Sequence, residues 1–298
     1  MPTHRAPLAL LGVLALVVTL AGAARRAAAG ESVNVLYAGS LVHLMEDGVR
    51  PAFDRASGDH FRGFAGGSKQ LAREIAGRLR PVDVFVSANP KVNAMLTGAA
   101  HGAWESWYVD FAQSPLVIGY ARASRFAADF RSKPWYRVLL EPGIRIGRTD
   151  PKLDPKGALT LQLLERAETF YHEPGLAQRV LGAPENAAQV LPEDALVGRL
   201  QTGLIDAGFF YSTETASAGI PTVALPAAIA PKAVYTVTIL RDAPHPAAAA
   251  RFVAFLLGPG GRQALVKFGL TRRKLTLVGD AGAVPQPIRV LAGTDTGR

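Results

Sequence analysis

Short apolar runs alternate with helical patterns along the chain from residue 30 onward. The first run, 33–38, is rich in strand-forming residues, and a Gly-Ser turn then leads into apolar residues at helical spacing over 41–53. A second Gly-Ser turn opens another helical pattern over 69–79, and an apolar run follows at 82–86. This alternation predicts an α/β fold in which mixed sheets are flanked by helices.

The alternation continues to about residue 274. Further strands are expected at 114–120, 144–147, 207–211, 220–225 and 233–240, and further helices at 158–171, 194–201, 246–257 and 260–268. After Lys274 the sequence has no clear period, which predicts a loose tail.

The N-terminal segment has the pattern of a secretory signal peptide. Arg5 precedes an apolar run over 7–24, and small residues at 21–23 and 27–29 offer cleavage sites. Residues 1–29 are therefore expected to be a signal peptide, and the mature protein to be periplasmic or extracytoplasmic. A retained membrane anchor is the alternative, because the apolar run is near the lower length limit for spanning a bilayer.

The composition limits the chemistry that the chain can perform. It contains no Cys, which excludes disulfides, Cys-ligated metals and thiol catalysis. The sequence has no serine-hydrolase elbow, zinc-protease or P-loop motif, and its six His residues lack metal-ligand spacing. We therefore expect a protein that is not an enzyme and needs no cofactor; a hydrolase with an unrecognised Ser nucleophile is the enzymatic alternative.

A formal net charge of +9 permits an anionic partner. The basic residues are spread along the whole chain and no nucleic-acid-binding module is visible, so nucleic acid is not the expected partner.

Small turns lead from strand ends into helix starts at four places. They are Gly39-Ser40, Gly67-Ser68, Ser87-Ala88 and the turn 154–157. The first turn of a helix presents unpaired N–H groups at the positive end of the helix dipole, while Gly allows close approach and Ser donates a hydrogen bond. Several such starts together would form a socket for an oxyanion. For each turn taken alone, helix capping is the simpler role.

Four segments carry a family resemblance. They read Tyr37-Ala-Gly-Ser-Leu41, Gly66-Gly-Ser-Lys69, Asp83-Val-Phe-Val-Ser-Ala-Asn89 and Gly147-Arg-Thr-Asp-Pro-Lys-Leu-Asp-Pro-Lys-Gly157. In order and spacing they resemble the anion loops of the periplasmic molybdate/tungstate-binding proteins of ABC importers. The similarity extends from about residue 33 to about residue 275.

The resemblance implies a two-lobed, type II periplasmic-binding-protein fold with the anion in the cleft between the lobes. Lobe 1 would comprise residues 30–113 and 226–298, and lobe 2 residues 114–225. The ligand-binding residues it implies are Gly39, Ser40, Gly67, Ser68, Asp154, Lys156, Gly157 and Tyr211. Serine hydroxyls and backbone N–H groups would hold molybdate or tungstate, which the protein would deliver to an ABC transporter permease.

One position departs from the family pattern. Archaeal-type members carry a Glu in a Phe-Glu-Tyr segment that, with the Asp of the Asp-Pro-x-Gly turn, completes six-coordination of the metal. Here Phe210 occupies the Glu position, and Glu214, four residues later, is not an obvious substitute. We therefore expect a tetrahedral anion held only by hydrogen bonds, with Asp154 capping a helix. Tyr211 either packs at the end of a buried strand or donates its phenol.

Two points stay open at the level of sequence. Lys69, Arg148 and Lys156 lie beside the expected loops, where they either steer a dianion or are solvated surface charges. Sulfate, thiosulfate and phosphate are the alternative ligands, because hydrogen-bond donors distinguish these anions by pocket size and protonation state.

Overall fold

The computed structural model describes residues 30–294. Its strands are β1 (Ser32–Ala38), β2 (His60–Gly66), β3 (Val84–Ser87), β4 (Trp107–Tyr120), β5 (Ile146–Gly147), β6 (Ala207–Tyr211), β7 (Thr222–Val223), β8 (Lys232–Ile239) and β9 (Thr271–Gly279). Its α-helices are α1 (Arg50–Ser57), α2 (Ser68–Ala76), α3 (Pro90–Asn93), α4 (Asp129–Ser132), α5 (Trp135–Val138), α6 (Pro155–Tyr171), α7 (Leu176–Leu181), α8 (Leu196–Gln201), α9 (Ser212–Ala218), α10 (Pro246–Leu257), α11 (Pro259–Lys267) and α12 (Gln286–Thr294). Short 3-10 turns lie at Gly39–Leu41, Ala99–His101, Glu193–Ala195 and Ala281–Ala283, and a π-helical segment at Leu44–Val49.

One strand connects the two halves of the sheet. The strand order is β2-β1-β3-β8-β4-β6-β5, and β7 and β9 also pair with β4. Residues 107–115 of β4 pair with β8 and β9, whereas residues 116–120 pair with β6 and β7. The fold is therefore two-lobed, with β4 shared between the two parts of the sheet.

The central strands are covered on both faces. Every residue of β3 and of β6 is buried, which is the pattern of strands enclosed between helices. In the largest apolar cluster, Phe252 of α10 packs edge-on against Phe53 of α1, with ring centroids 5.2 Å apart. A smaller cluster joins Phe210 of β6 to Leu196 and Leu200 of α8. These clusters fix the strand ends from which the predicted anion loops emerge.

The predicted α/β alternation is confirmed. The bounds of β6 and α10 agree with the predicted ranges 207–211 and 246–257, and the helices after the second and fourth turns begin at Ser68 and Pro155. The apolar periodicity was informative here because these segments are largely buried.

Two expectations are wrong, and one edge strand was missed. Strand β2 was not expected, because it is an edge strand with exposed residues that break the apolar pattern. The segment 41–53 is not one helix, since the π-helical Leu44–Val49 interrupts it. The tail is ordered: β9 pairs with β4, and α12 packs on α10, with Ile288 fully buried. Strand β9 exposes most of its side chains, so its sequence gave no clear period.

The predicted signal peptide, residues 1–29, lies outside the described residues. In the part of the chain that the structure describes, no helix has the length and hydrophobicity needed to cross a membrane.

Candidate functional site

The first predicted loop follows β1 directly. Strand β1 leads into the 3-10 turn Gly39–Leu41, which is buried. The Ser40 hydroxyl lies 3.1 Å from the hydroxyl of Tyr235 on β8. Gly39 faces Glu193: a Cβ atom on Gly39 would lie 1.5 Å from Glu193 Oε2. A side chain at position 39 would therefore require the Glu193 carboxyl to move.

The second loop places a buried serine at the start of α2. Ser68 follows Gly67, whose backbone is extended. The Oγ of Ser68 accepts a hydrogen bond from Ala88 N–H at 3.1 Å. A hydroxyl that accepts a bond still has its own hydrogen to donate. The Ser87 hydroxyl, in contrast, donates to Asn89 O within its own turn. The Ser68 hydroxyl therefore still has a hydrogen to donate, and its role in ligand binding stays a prediction.

The fourth loop is built around the start of α6. Asp154 is the N-cap, and its Oδ1 accepts hydrogen bonds from Lys156 N–H and from the Thr149 hydroxyl, both at 2.9 Å. The expected capping role of Asp154 is confirmed. Gly157 lies where a Cβ atom would approach Thr149 O to 2.5 Å, so the turn requires glycine.

The second and fourth loops touch each other. Lys69 Nζ donates to Pro151 O at 2.7 Å, and Gln70 N–H donates to Leu153 O at 3.0 Å. A Cβ atom on Gly67 would lie 2.8 Å from Leu153 O. The loops are thus close enough to surround one small ligand.

A buried ion cluster lies at the same place. Lys156 is fully buried, and its Nζ donates to Glu193 Oε1 at 3.1 Å and to Glu214 Oε1 at 2.7 Å. Both carboxyls are also buried. Of the two alternatives for Lys156, a solvated surface charge is wrong, because its ammonium is buried between two carboxyls. Steering of a dianion by Lys156 stays a prediction. Glu214, which its sequence position did not suggest as a substitute for the family glutamate, lies beside the site.

Sequence reasoning missed Glu193. The Leu-Pro-Glu-Asp segment before α8 looks like an ordinary helix start with acidic residues in its first turn. Its contact with Gly39 joins two distant parts of the chain, and periodicity carries no information on such contacts.

Burial controls the protonation of this cluster. Burial raises the pKa of Glu193 to about 8, against the opposing attraction of Lys156. Burial also raises the pKa of Glu214 and of Asp154. For Lys156 burial alone lowers the pKa, but the attraction of Glu193 and Glu214 outweighs it, and the net shift is upward. Lys156 is therefore charged, and burial makes all three carboxyls hold a proton more readily than a solvated carboxyl does.

Tyr211 and Phe210 lie on opposite faces of β6. Tyr211 is buried in the main apolar cluster, and its hydroxyl has no hydrogen-bond partner within residues 30–294. Phe210 belongs to the smaller cluster with Leu196 and Leu200, and its ring centroid lies 5.9 Å from Lys156 Nζ. Of the two roles expected for Tyr211, the structure shows the packing role. Donation of its phenol to a ligand stays a prediction.

The remaining basic side chain near the loops is also buried. The Arg148 guanidinium donates to the carbonyl oxygens of Ala183 and Pro184 and to Gln189 Oε1. Arg148 is therefore not a solvated surface charge. Its hydrogen bonds hold residues 183–189, the segment that leads to Glu193.

Two cavities are candidates for the ligand site. A cavity of about 230 Å³ is lined by Gly39, Ser40, Glu193 and Glu214, among others. A larger cavity of about 820 Å³ lies near Tyr120, away from the four loops. We assign the candidate site to the smaller cavity, because Gly39 and Ser40 of the first loop and both glutamates of the ion cluster line it.

The sequence of the described domain matches a known family. The model of the bacterial extracellular solute-binding proteins matches residues 33–271. The chain belongs to this family. The family and its structural relatives are binding proteins of transport systems, and they work outside the cytoplasm.

Individual relatives agree with this assignment. The chain is 30% identical to a Haloferax volcanii protein provisionally named an ABC transporter molybdenum-binding protein, over 98% of this chain and 88% of the relative. It is 22% identical to a molybdate/tungstate-binding protein of Thermococcus kodakarensis, over 70% of this chain and 71% of the relative. Its fold matches the periplasmic molybdate-binding protein of Azotobacter vinelandii with a TM-score of 0.62 at 20% identity, over 80% and 98% of the two chains.

Proposed function

We propose that this solute-binding protein captures molybdate or tungstate and delivers it to the permease of an ABC transporter. The observation that carries the proposal is a small cavity lined by Gly39 and Ser40 of the first loop and by Glu193 and Glu214. Lys156 of the fourth loop bonds to both glutamates, and the second loop contacts the fourth. The names of the Haloferax and Thermococcus relatives support this choice of anion. The proposed role is binding without catalysis.

Hydrogen bonds are proposed to hold the anion as a tetrahedral species. The donors would be the Ser40 and Ser68 hydroxyls and the backbone N–H groups of Gly39, Gly67 and Gly157. Asp154 Oδ1 already accepts two hydrogen bonds, and Phe210 faces an apolar cluster. Among residues 30–294, no three His, Asp or Glu side chains are arranged to hold a metal ion. This arrangement favours four-coordination over the six-coordination of the archaeal-type relatives.

The lobes are proposed to close on the anion. Lobe 1 would comprise 30–113 and 226–298, and lobe 2 would comprise 114–225, because β4 changes sheet partners at residues 115 and 116. The Ser40 and Ser68 loops would then lie in one lobe and the start of α6 in the other. Closure brings donors from both lobes to the ligand, so the ligand favours the closed form.

Export by the N-terminal segment is part of the proposal. Residues 1–29 would act as a signal peptide, and the mature protein would meet the membrane only through the permease. If the segment is not cleaved, it would serve as an anchor.

Calorimetric titration of the mature protein tests the proposed function. We expect tight binding of molybdate and tungstate, and weak or no binding of sulfate and phosphate. X-ray absorption of bound molybdate should show a tetrahedral oxo centre. Preferential binding of sulfate or phosphate would overturn the choice of ligand, and a six-coordinate spectrum would overturn the proposed mode of binding.

A further inference from the structure

One polar atom in the site has no assigned role. Glu193 Oε2 is buried and lacks a hydrogen-bond partner in the part of the chain described. It lies against Gly39 of the first anion loop, and Glu193 lines the small cavity together with Ser40. An unpaired buried carboxyl oxygen is costly, so its position in a ligand cavity points to a contact with the ligand.

Glu214, the other glutamate of the cluster, is fully satisfied as a carboxylate. Its Oε1 accepts from Lys156 Nζ, and its Oε2 accepts from Tyr211 N–H at 2.7 Å. Glu193 uses only Oε1, which accepts from Lys156. A proton on Glu193 Oε2 therefore breaks no existing hydrogen bond, whereas a proton on Glu214 would break one.

The acids that face Glu193 favour its neutral form, whereas Lys156 favours its ionised form. Lys156 is the nearby cation, while Glu214 and Asp154 are the nearby acids. The buried phenols of Tyr211 and Tyr235 lie beside the same cluster. Two further ionisable residues, His43 and Asp194, line the cavity. Strand β2 packs against the 193–195 turn and carries the exposed His60 and Arg62. A dianion beside this cluster would meet an excess of acids unless one of them is protonated.

We propose that Glu193 is a ligand-contacting residue whose protonated carboxyl donates a hydrogen bond from Oε2 to an oxygen of the bound dianion. The inference rests on the proposed function. The proton comes from solvent, so binding takes up a proton whenever Glu193 is ionised in the ligand-free protein. Burial raises the pKa of Glu193 to about 8, which places this uptake above neutral pH. The site then gains a donor and loses a repulsive charge in one step.

Titration of the parent protein with molybdate measures the proton directly. Calorimetry in two buffers of different ionisation enthalpy gives the number of protons exchanged. At pH 9 we expect uptake of about one proton per anion, and at pH 7 much less, because Glu193 is then already protonated. Above pH 8 the Kd should rise about tenfold per pH unit. These measurements need no variant.

Glu193→Gln tests the residue. Its amide keeps a donor and carries no charge at any pH, so we expect no proton uptake and an unchanged Kd between pH 7 and pH 9. Glu105→Gln is the matched control, because Glu105 is another buried glutamate, bonded to Asn93 and Thr97, whose pKa burial raises to about 7. It does not line the small cavity, so this variant should keep the uptake and the pH dependence of the parent.

Each failure has a distinct meaning. Molybdate binding without proton exchange from pH 7 to pH 9 would overturn the inference and leave the proposed function standing. Retention of the pH dependence in a folded Glu193→Gln variant would overturn the role of Glu193. Molybdate binding that strengthens towards pH 9 would show that the ionised form of Glu193 binds the anion better, and would overturn its role as donor. If the parent binds no molybdate at any pH, the proposed function itself fails.

Discussion

Replacing Lys156 with methionine removes the ammonium group from the buried ion cluster. Lys156 Nζ donates to Glu193 Oε1 at 3.1 Å and to Glu214 Oε1 at 2.7 Å, and no side chain of the three is more than 5% exposed. Methionine keeps much of the apolar stem but leaves a buried carboxylate without a cation. Breaking a buried ion pair in this way costs about 3–5 kcal/mol. We expect the free energy of unfolding to fall by about that amount at pH 8.

The loss should shrink at pH 5. Burial raises the pKa of Glu193 and of Glu214 even beside Lys156, and loss of the ammonium raises both pKa values further. The carboxyls are then protonated in the folded variant but ionise near pH 4.5 in the unfolded chain. The folded state binds more protons above that pH, so the stability of the variant falls as the pH rises.

Urea unfolding at pH 5 and pH 8, followed by tryptophan fluorescence, measures both effects, since Trp107 and Trp135 are buried. Lys152→Met is the matched control, because Lys152 pairs with Glu185 on the surface at 3.0 Å. Exposed pairs of this kind contribute about 1 kcal/mol or less. A folded Lys156→Met protein as stable as the parent at pH 8 would refute the argument that the cluster depends on this ammonium.

Three further outcomes are expected. Ser40→Ala and Ser68→Ala should each weaken molybdate binding by about 1.5–3 kcal/mol, as for a hydrogen bond to a charged group, and calorimetry that finds parental affinity in both would place the site elsewhere. Gly157→Ala should cost about 1–3 kcal/mol, because its Cβ would lie 2.5 Å from a backbone oxygen. Gly198→Ala, with open space around it, should cost nothing in the same thermal unfolding assay, and equal Tm values for the two variants would contradict this view. Burial raises the pKa of Glu105 from 4.5 to about 7. Between these pH values Glu105 is protonated in the folded protein but ionised in the unfolded chain, so the free energy of unfolding falls as the pH rises through this range. Glu105→Gln should remove up to about 3 kcal/mol of this decline, and an unchanged slope of unfolding free energy against pH would count against it.

The loop residues were predictable because each feature is local. Ser40 and Ser68 follow strands directly, and Asp154 precedes a proline and a helical pattern, which is the signature of a cap. The residues that decide the electrostatics were not predictable in this way. Lys156 occupies an ordinary first-turn position, and only the meeting of α6 with the 193–195 turn and with α9 buries its ammonium.

Phe210 shows that the position of a residue in a sequence motif does not determine the direction of its side chain. The sequence places Phe210 at the position of a carboxylate ligand in archaeal-type relatives. In β6 successive side chains point to opposite faces, so Phe209 and Tyr211 join the main cluster while Phe210 packs with Leu196. The resemblance predicts that the carboxylate ligand is absent at position 210. The burial of Glu214 beside the cluster depends on tertiary structure and could not be predicted from the pattern.

The shared sheet also has a consequence for how the chain acquires its structure. Strand β3 lies between β1 and β8, and its Val84 pairs with Ile239, so the sheet that carries the first two anion loops lacks a central strand until most of the polypeptide is available. Such high contact order slows folding, because distant segments must meet before either is stabilised. An N-terminal fragment ending before β8 would expose the open edge of β3. For the export that we propose, this delay is useful, since a chain that cannot complete its sheet early stays unfolded enough to pass through a translocation pore.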